Sequence, residues 1–386
     1  MSASIQAKSA GASMRHVSTL RQFIVLLFLA GGVHFWILLG RAQLGERRQL
    51  IAAVLAVILA IVVWAVHPLR RIVAGVSNGI AHSSTPGRLI TAIAIAILST
   101  AYLYATARYQ HRDFSPILHD EYSYLIQAKM LSSGHFWLPK HELSDFFDSF
   151  HIITDRAYAS KYGPGTALFY APAMLLHWPT WMMPLLLSGV AVGLMYLLVT
   201  ELFDGGAGWL AALMLLSLGI FRRTSIMTMS QAPMLALALI AMLAFVYWRR
   251  NRSNAWMILL GIAVGWGAIT RPVDAICVAL PIAIVVLTDL RKVDNRQRIK
   301  AIAAGMIAAA PFLVLQLIYD KGVTGHFTTL PWNYYAQRYD PYDSLSRKPI
   351  DPDFRPMSAL LQKQQFYDEF TLQFYRKKLS QSRVQG

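Results

Sequence analysis

Long apolar runs separated by short polar connections set the pattern of this chain. The runs fall at 23–40, 51–67, 89–107, 182–203, 207–221, 232–248, 256–270, 272–288 and 301–318. A bilayer-crossing helix needs roughly 17–25 mostly apolar residues, so the pattern predicts about nine transmembrane helices. Those at 207–221 and 256–270 are short and need flanking residues to span. The run 165–178 (GTALFYAPAMLLHW) is shorter still and reads as a re-entrant or interfacial piece. The expected fold class is an all-α polytopic membrane protein with an amphipathic outer-loop helix and a small soluble outer face. Four regions follow: 1–107, an N-terminal leader with three spans; 108–181, a large outer loop; 182–318, the remaining bundle; and 319–386, a polar tail.

The outer loop carries its own helical pattern over 120–134. Tyr122, Leu125, Ile126 and Met130 recur at helical spacing and define an apolar face. Asp120 is placed to cap this helix and Glu121 to occupy its first turn, both favourable at the positive end of the helix dipole. Gly134 ends it. A helix of this kind lies in the interface with its apolar face towards lipid or the spans, which puts two carboxylates at the height of the membrane surface.

Charge refines the picture. Only 15% of residues are charged, against about 25% in soluble domains. The net charge of +16 is carried largely by short loops such as YWRRNRS (247–253) and DLRKVDNRQRIK (289–300). Basic loops at span ends follow the positive-inside rule and argue against nucleic acid as a partner. Placing 68–88, 249–252 and 291–300 in the cytoplasm puts the N-terminus inside, and 108–164 and the tail outside. Residues 41–50, with three arginines, oppose this scheme. The first residues lack a small-residue cleavage site and read as a leader to a retained span. The single cysteine, Cys277, excludes an intrachain disulfide. Neither a phosphate-binding GxxxxGK[ST] loop nor a dinucleotide-binding GxGxxG is present.

Three stretches carry a resemblance: HDEYSYLIQAKMLSSGHFWLP (119–139), KYGPGTALFYAPAML (161–175) and LLGIAVGWGAITRP (259–272). Their order resembles the type C membrane glycosyltransferases, above all the protein O-mannosyltransferase and lipid A aminoarabinose transferase group. The resemblance implies an inverting transfer of a hexose or pentose from a polyprenyl-phosphate carrier to a lipid, glycan or protein acceptor. It implies an outer, periplasmic-side site in a bacterial inner membrane. By the same resemblance Asp120 is the general base and Glu121 a supporting carboxylate, while Lys161, Tyr162 and Arg271 bind the carrier phosphate. The alternatives are that the carboxylates only cap a helix and that Arg271 only pairs with Asp274, three residues on.

There are departures. Ser123 stands where the aminoarabinose transferases have an arginine. FRRTSIMTMSQAPM (221–234) lacks the acidic residue expected of a second outer loop and adds Arg222 and Arg223. The shorter chain leaves room for a partner subunit, for an inactive scaffold of the same fold, and for a transporter of lipid-linked sugars, although internal repeats are absent. His119, His135, His141 and His151 share the loop with Asp145 and Asp148, yet without tight metal-ligand spacing, so a divalent metal is compatible but not indicated. The tail LPWNYYAQRYDPYD (330–343) reads equally as a sugar-stacking surface and as an interfacial aromatic belt.

Overall fold

The computed structural model describes residues 84–340 and 354–373. The expected spans at 23–40 and 51–67, the leader and the loop 41–50 lie outside the described residues. So do parts of the tail.

The apolar runs form helices. These are α1 (Thr85–Tyr109), α3 (Gly165–Leu175), α4 (Met182–Leu202), α5 (Gly205–Ser217), α7 (Gln231–Asn251), α8 (Asn254–Thr270), α9 (Pro272–Leu290) and α10 (Asn295–Thr324). Short α2 (His119–Ser132), α6 (Gly219–Thr224), α11 (Pro331–Arg338) and α12 (Leu361–Phe366) complete the set. Among the described residues five are long and apolar enough to cross a membrane: α1, α4, α7, α9 and α10. The expected span at 207–221 is divided instead. Leu218 adopts extended backbone (ψ 119°), ending α5 at a length of about 20 Å, short of a hydrocarbon core of about 30 Å. Helix α8, covering the expected span at 256–270, is likewise short, and α3 is shorter again.

The described residues divide into two compact units, one of 84–113 with Leu185–Ile226, the other of Phe114–Pro184 with 227–340 and 354–373. In the first, Gly189 and Gly193 of α4 face Ala96 and Ala92 of α1. A Cβ on either would come within 2.7 Å and 2.5 Å of those residues' carbonyl oxygens, so the backbones touch. Small residues one turn apart let helices approach closely where no hydrophobic drive exists. An ion pair, Arg88 to buried Glu201 at 3.2 Å, ties the ends of the same helices.

In the second unit α7, α8, α9 and α10 form a bundle. Gly261 and Gly265 of α8 pack on Gly305 and Ala309 of α10, where added Cβ atoms would meet main-chain carbon at 2.9 Å and 2.8 Å. At one end of this bundle Arg249 and Arg252 both bind Asp289, at 2.8 Å and 3.4 Å. At the other end lies a layer made of α2, α11, α12 and a small antiparallel sheet. Its strands are β1 (Leu138–Pro139), β2 (Ile152–Ile153) and β3 (Ala157–Ser160), in the order β1-β3-β2. Leu138 pairs with Tyr158, and Ile152 with Ser160. Tyr319, near the end of α10, donates to the Ser160 carbonyl at 2.7 Å and joins the layer to the bundle. Gly322 leaves the space that the Trp137 ring fills.

The outer loop holds a helix at His119–Ser132, and the face it buries within the layer is largely polar. Glu121, Ser123, Tyr124, Gln127, Ala128 and Met130 are buried, whereas Tyr122 is exposed. The Ser123 hydroxyl and the Gln127 amide N–H₂ tolerate burial here because they find partners. Ser123 bonds Ser160 Oγ at 2.7 Å, and Gln127 donates to the Tyr162 carbonyl at 3.1 Å. The cap differs as well. The helix starts at His119, and Leu118 N–H donates to Glu121 Oε1 at 3.2 Å. Asp120 takes no part in capping.

Candidate active site

The adjacent carboxylates have separate fates. Glu121 is 2% exposed. Its Oε1 accepts from Ile117 N–H at 3.1 Å as well as from Leu118, and its Oε2 accepts from Thr228 N–H at 2.8 Å. It is a brace between two loops, with every oxygen committed to main chain. The Asp120 side chain remains 34% exposed and accepts from side chains instead. Tyr162 Oη donates to Oδ1 at 2.5 Å, and His151 Nε2 lies 3.0 Å from the same oxygen. Burial raises the Asp120 carboxyl, but the hydrogen bonds from His151 and Tyr162 and the charges of His151 and Lys161 outweigh it and hold the group down at about 2. It is ionised at any physiological pH.

Tyr162 is fixed from several sides. Its ring stacks on Tyr124 (centroids 4.5 Å apart) and its N–H donates to Ser160 Oγ at 3.1 Å. Lys161, 2% exposed, directs its ammonium at the faces of Trp332 (4.3 Å), Tyr335 (5.0 Å) and Tyr162 (5.2 Å). A cation over aromatic faces replaces part of its lost hydration with quadrupole attraction. Two residues of the aromatic tail stretch thereby line the site. On the far side of Tyr335 lies Lys363, 5.4 Å from its ring, paired with Asp148 at 2.5 Å in a bridge almost wholly buried. Burial lowers the Lys363 ammonium, an effect opposed by Asp148 and reinforced by Lys161.

Arg271 occupies the corner between α8 and α9. It pairs with Asp274, the partner that the spacing suggested, and its NH1 donates to Ser230 Oγ at 3.0 Å. Its side chain is 39% exposed. Tyr124 connects it to the carboxylate. Desolvation, aided by Asp120 and opposed by Ser230, Arg271 and Thr166, leaves the Tyr124 hydroxyl raised to about 12. The structure therefore brings Asp120, Tyr162, Lys161 and Arg271 into one cluster around Tyr124, with Glu121 beneath it.

Close packing explains how distant motifs meet. A Cβ at Gly163 would come within 2.6 Å of the Ile269 carbonyl oxygen, and one at Gly165 within 2.6 Å of the Ile269 and Thr270 main chain. Trp266 Nε1 donates to the Gly165 carbonyl at 2.8 Å. The Tyr-Gly-Pro-Gly turn thus lies directly on the helix end that precedes Arg271. Ser123 is sealed against Ser160 and the His151 carbonyl, so this position has no room for an arginine reaching outwards.

Sequence reading did not single out His151, Tyr124 or Ser230 for this site, and reached Trp332 and Tyr335 only as part of the aromatic tail 330–343. His151 stood among four loop histidines, and no spacing marks the one that meets Asp120. Among the described residues no group of three or more His, Cys, Asp or Glu side chains is arranged to hold a metal ion.

No curated protein and no solved structure matches the chain. A family model does: residues 164–316 match dolichyl-phosphate-mannose-protein mannosyltransferase. The matched stretch includes Gly165 and Arg271; Lys161 and Tyr162 lie just before it, and Asp120 and Glu121 lie well outside it. The match covers less than half of the chain and is consistent with the type C membrane glycosyltransferase superfamily that the order of motifs resembles.

Proposed function

We propose that the protein is a polyprenyl-phosphate-sugar-dependent glycosyltransferase, with Asp120 as the general base for an acceptor hydroxyl. The observation that carries this reading is the contrast between the two carboxylates. Glu121 is consumed by main-chain bonds, whereas Asp120 is ionised, partly exposed and held beside cations. The family match favours a mannosyl donor.

The chemistry suits the geometry. The acceptor oxygen attacks the anomeric carbon as the bond to the carrier phosphate breaks, in a single inverting displacement. Positive charge spreads over the sugar, as in glycosyl transfer generally. A carboxylate with a pKa of about 2 is a weak base. It accepts the proton only once the new C–O bond has made the oxygen strongly acidic. The polyprenyl phosphate leaves as an anion, and Arg271 and Lys161 supply the compensating charge. The guanidinium fork of Arg271 matches phosphate oxygens, and its partial exposure makes it the more accessible of the two cations.

Outer-face chemistry is supported by the bundle. Helix α7 runs from Ser230 beside Arg271 to Arg249, and α9 runs from Arg271 to Asp289 at that same far end. The Arg- and Lys-rich loops 249–252 and 291–300 therefore lie at the end opposite Asp120, where the positive-inside rule puts cytoplasm.

The test is turnover of labelled polyprenyl-phosphate mannose by reconstituted protein. Asp120→Asn is nearly isosteric, and loss of a general base costs about 10²- to 10⁴-fold. Wild-type transfer with that loss in the variant is the expected result. An inert wild type overturns the transferase reading and leaves a scaffold or a transporter of lipid-linked sugars. A fully active variant removes Asp120 from the chemistry.

A further inference from the structure

Among the described residues, four non-glycine positions have left-handed backbone: His111, His151, His177 and Arg252. Three of them directly follow helices α1, α3 and α7, where this conformation is an ordinary way to stop. His151 follows no α-helix. It is the third residue of a turn closed by Ile152 N–H to the Ser149 carbonyl at 3.2 Å, with φ +63°. That turn position favours glycine or asparagine. A strained residue kept against local preference points to a role for its side chain.

The side chain reaches Asp120, and the main chain around it is tied down. His151 N–H donates to Tyr335 Oη at 3.1 Å. Its carbonyl accepts from Ser123 Oγ at 3.1 Å and from Lys161 N–H at 2.9 Å. Nε2 and Tyr162 Oη converge on a single oxygen, Oδ1. Among the described residues, no hydrogen bond engages Oδ2.

We infer that His151 is a positioning residue: with Tyr162 it clamps Asp120 Oδ1, so that Oδ2 is presented to the acceptor hydroxyl. This inference rests on the transfer reading above. A carboxylate held at one oxygen keeps the other in a fixed direction, and misplacement of a reacting group by about 1 Å costs about 10²-fold in rate.

Two variants separate this role from that of a turn residue. His151→Gly and His151→Asn both suit left-handed backbone, so each is expected to keep or raise the thermal midpoint. Neither carries an imidazole to Asp120. The expected result is a kcat lower by about 10²-fold with donor KM little changed. Added imidazole should restore part of the rate in His151→Gly, by occupying the vacated space and donating to Oδ1. Wild-type kcat in both folded variants overturns the inference while the transfer reading stands. Absence of turnover in the wild type overturns the transfer reading, and the inference falls with it.

Discussion

Within one compact unit, the α8–α10 pair and the layer around Asp120 are built on opposite principles. The helix pair is joined by the absence of side chains: Gly261 and Gly265 bring main chain against main chain at Gly305 and Ala309. The layer is joined by paired polar and aromatic side chains, from Glu121 on Thr228 to Lys363 on Asp148. A bilayer offers helices little hydrophobic reason to associate, so close packing does the work there. At the membrane surface a site needs charge held at defined positions, and satisfied polar networks provide that rigidity. Arg271 follows the end of the glycine-packed α8, and the polar layer holds Asp120.

The comparison predicts unequal responses to substitution. Lys363→Met should have the largest effect on stability. It leaves Asp148 buried and unpaired, at a cost of about 3–5 kcal/mol, read as a lower thermal midpoint and faster proteolysis of 354–373. Asp148→Leu combined with Lys363→Met should recover most of that loss, since a buried pair is often no better than apolar packing. Retention of the full loss in the double variant would give the pair a role beyond mutual neutralisation.

Glu121→Gln comes next. It turns an amide N–H₂ towards main-chain donors and removes charge-assisted bonds worth about 1.5–3 kcal/mol. Stability should fall, while the kcat of the folded fraction changes far less than in Asp120→Asn. A large kcat loss at unchanged stability would instead make Glu121 a partner in the chemistry.

Gly265→Ala tests the other principle. Its methyl meets the Ala309 main chain, so α8 and α10 must separate, at about 1–3 kcal/mol. Exposed positions of the polar layer, such as Lys129, should tolerate alanine without measurable cost.

The smallest effect is the pH dependence of Asp120. Its carboxyl lies at about 2 in the folded chain against an ordinary 3.8. The stability it contributes is therefore complete above about pH 4 and is lost as pH falls through about 2. Partial exposure screens this contribution. Between pH 5 and 8 neither stability nor turnover should change through Asp120, and an acid limb in that range would belong to another group.

Much of this organisation is legible in the residues. Apolar runs longer than about 17 residues leave the backbone only helical solutions in lipid, and every such run among the described residues is helical. The order of the Asp-Glu, Tyr-Gly-Pro-Gly and Thr-Arg-Pro stretches pointed to one site, and the structure gathers them around Tyr124. Periodicity marked Tyr122, Leu125, Ile126 and Met130 as the face towards lipid or the spans, but hydropathy gave no sign that Ser123 and Gln127 are buried. Their burial depends on Ser160 and Tyr162, more than thirty residues away.

The sequence by itself determined that the long apolar runs among the described residues are helices fit to cross a membrane, since that follows from local composition and short-range spacing. Only the tertiary structure decided which of two neighbouring carboxylates braces a loop and which faces the site. The same holds for the pairing of His151 with Asp120, the enclosure of Lys161 by Trp332 and Tyr335, and the reason Gly163 and Gly165 must lack side chains. These depend on contacts between segments distant in the chain, and side-chain identity along a sequence does not encode the direction in which a side chain will point.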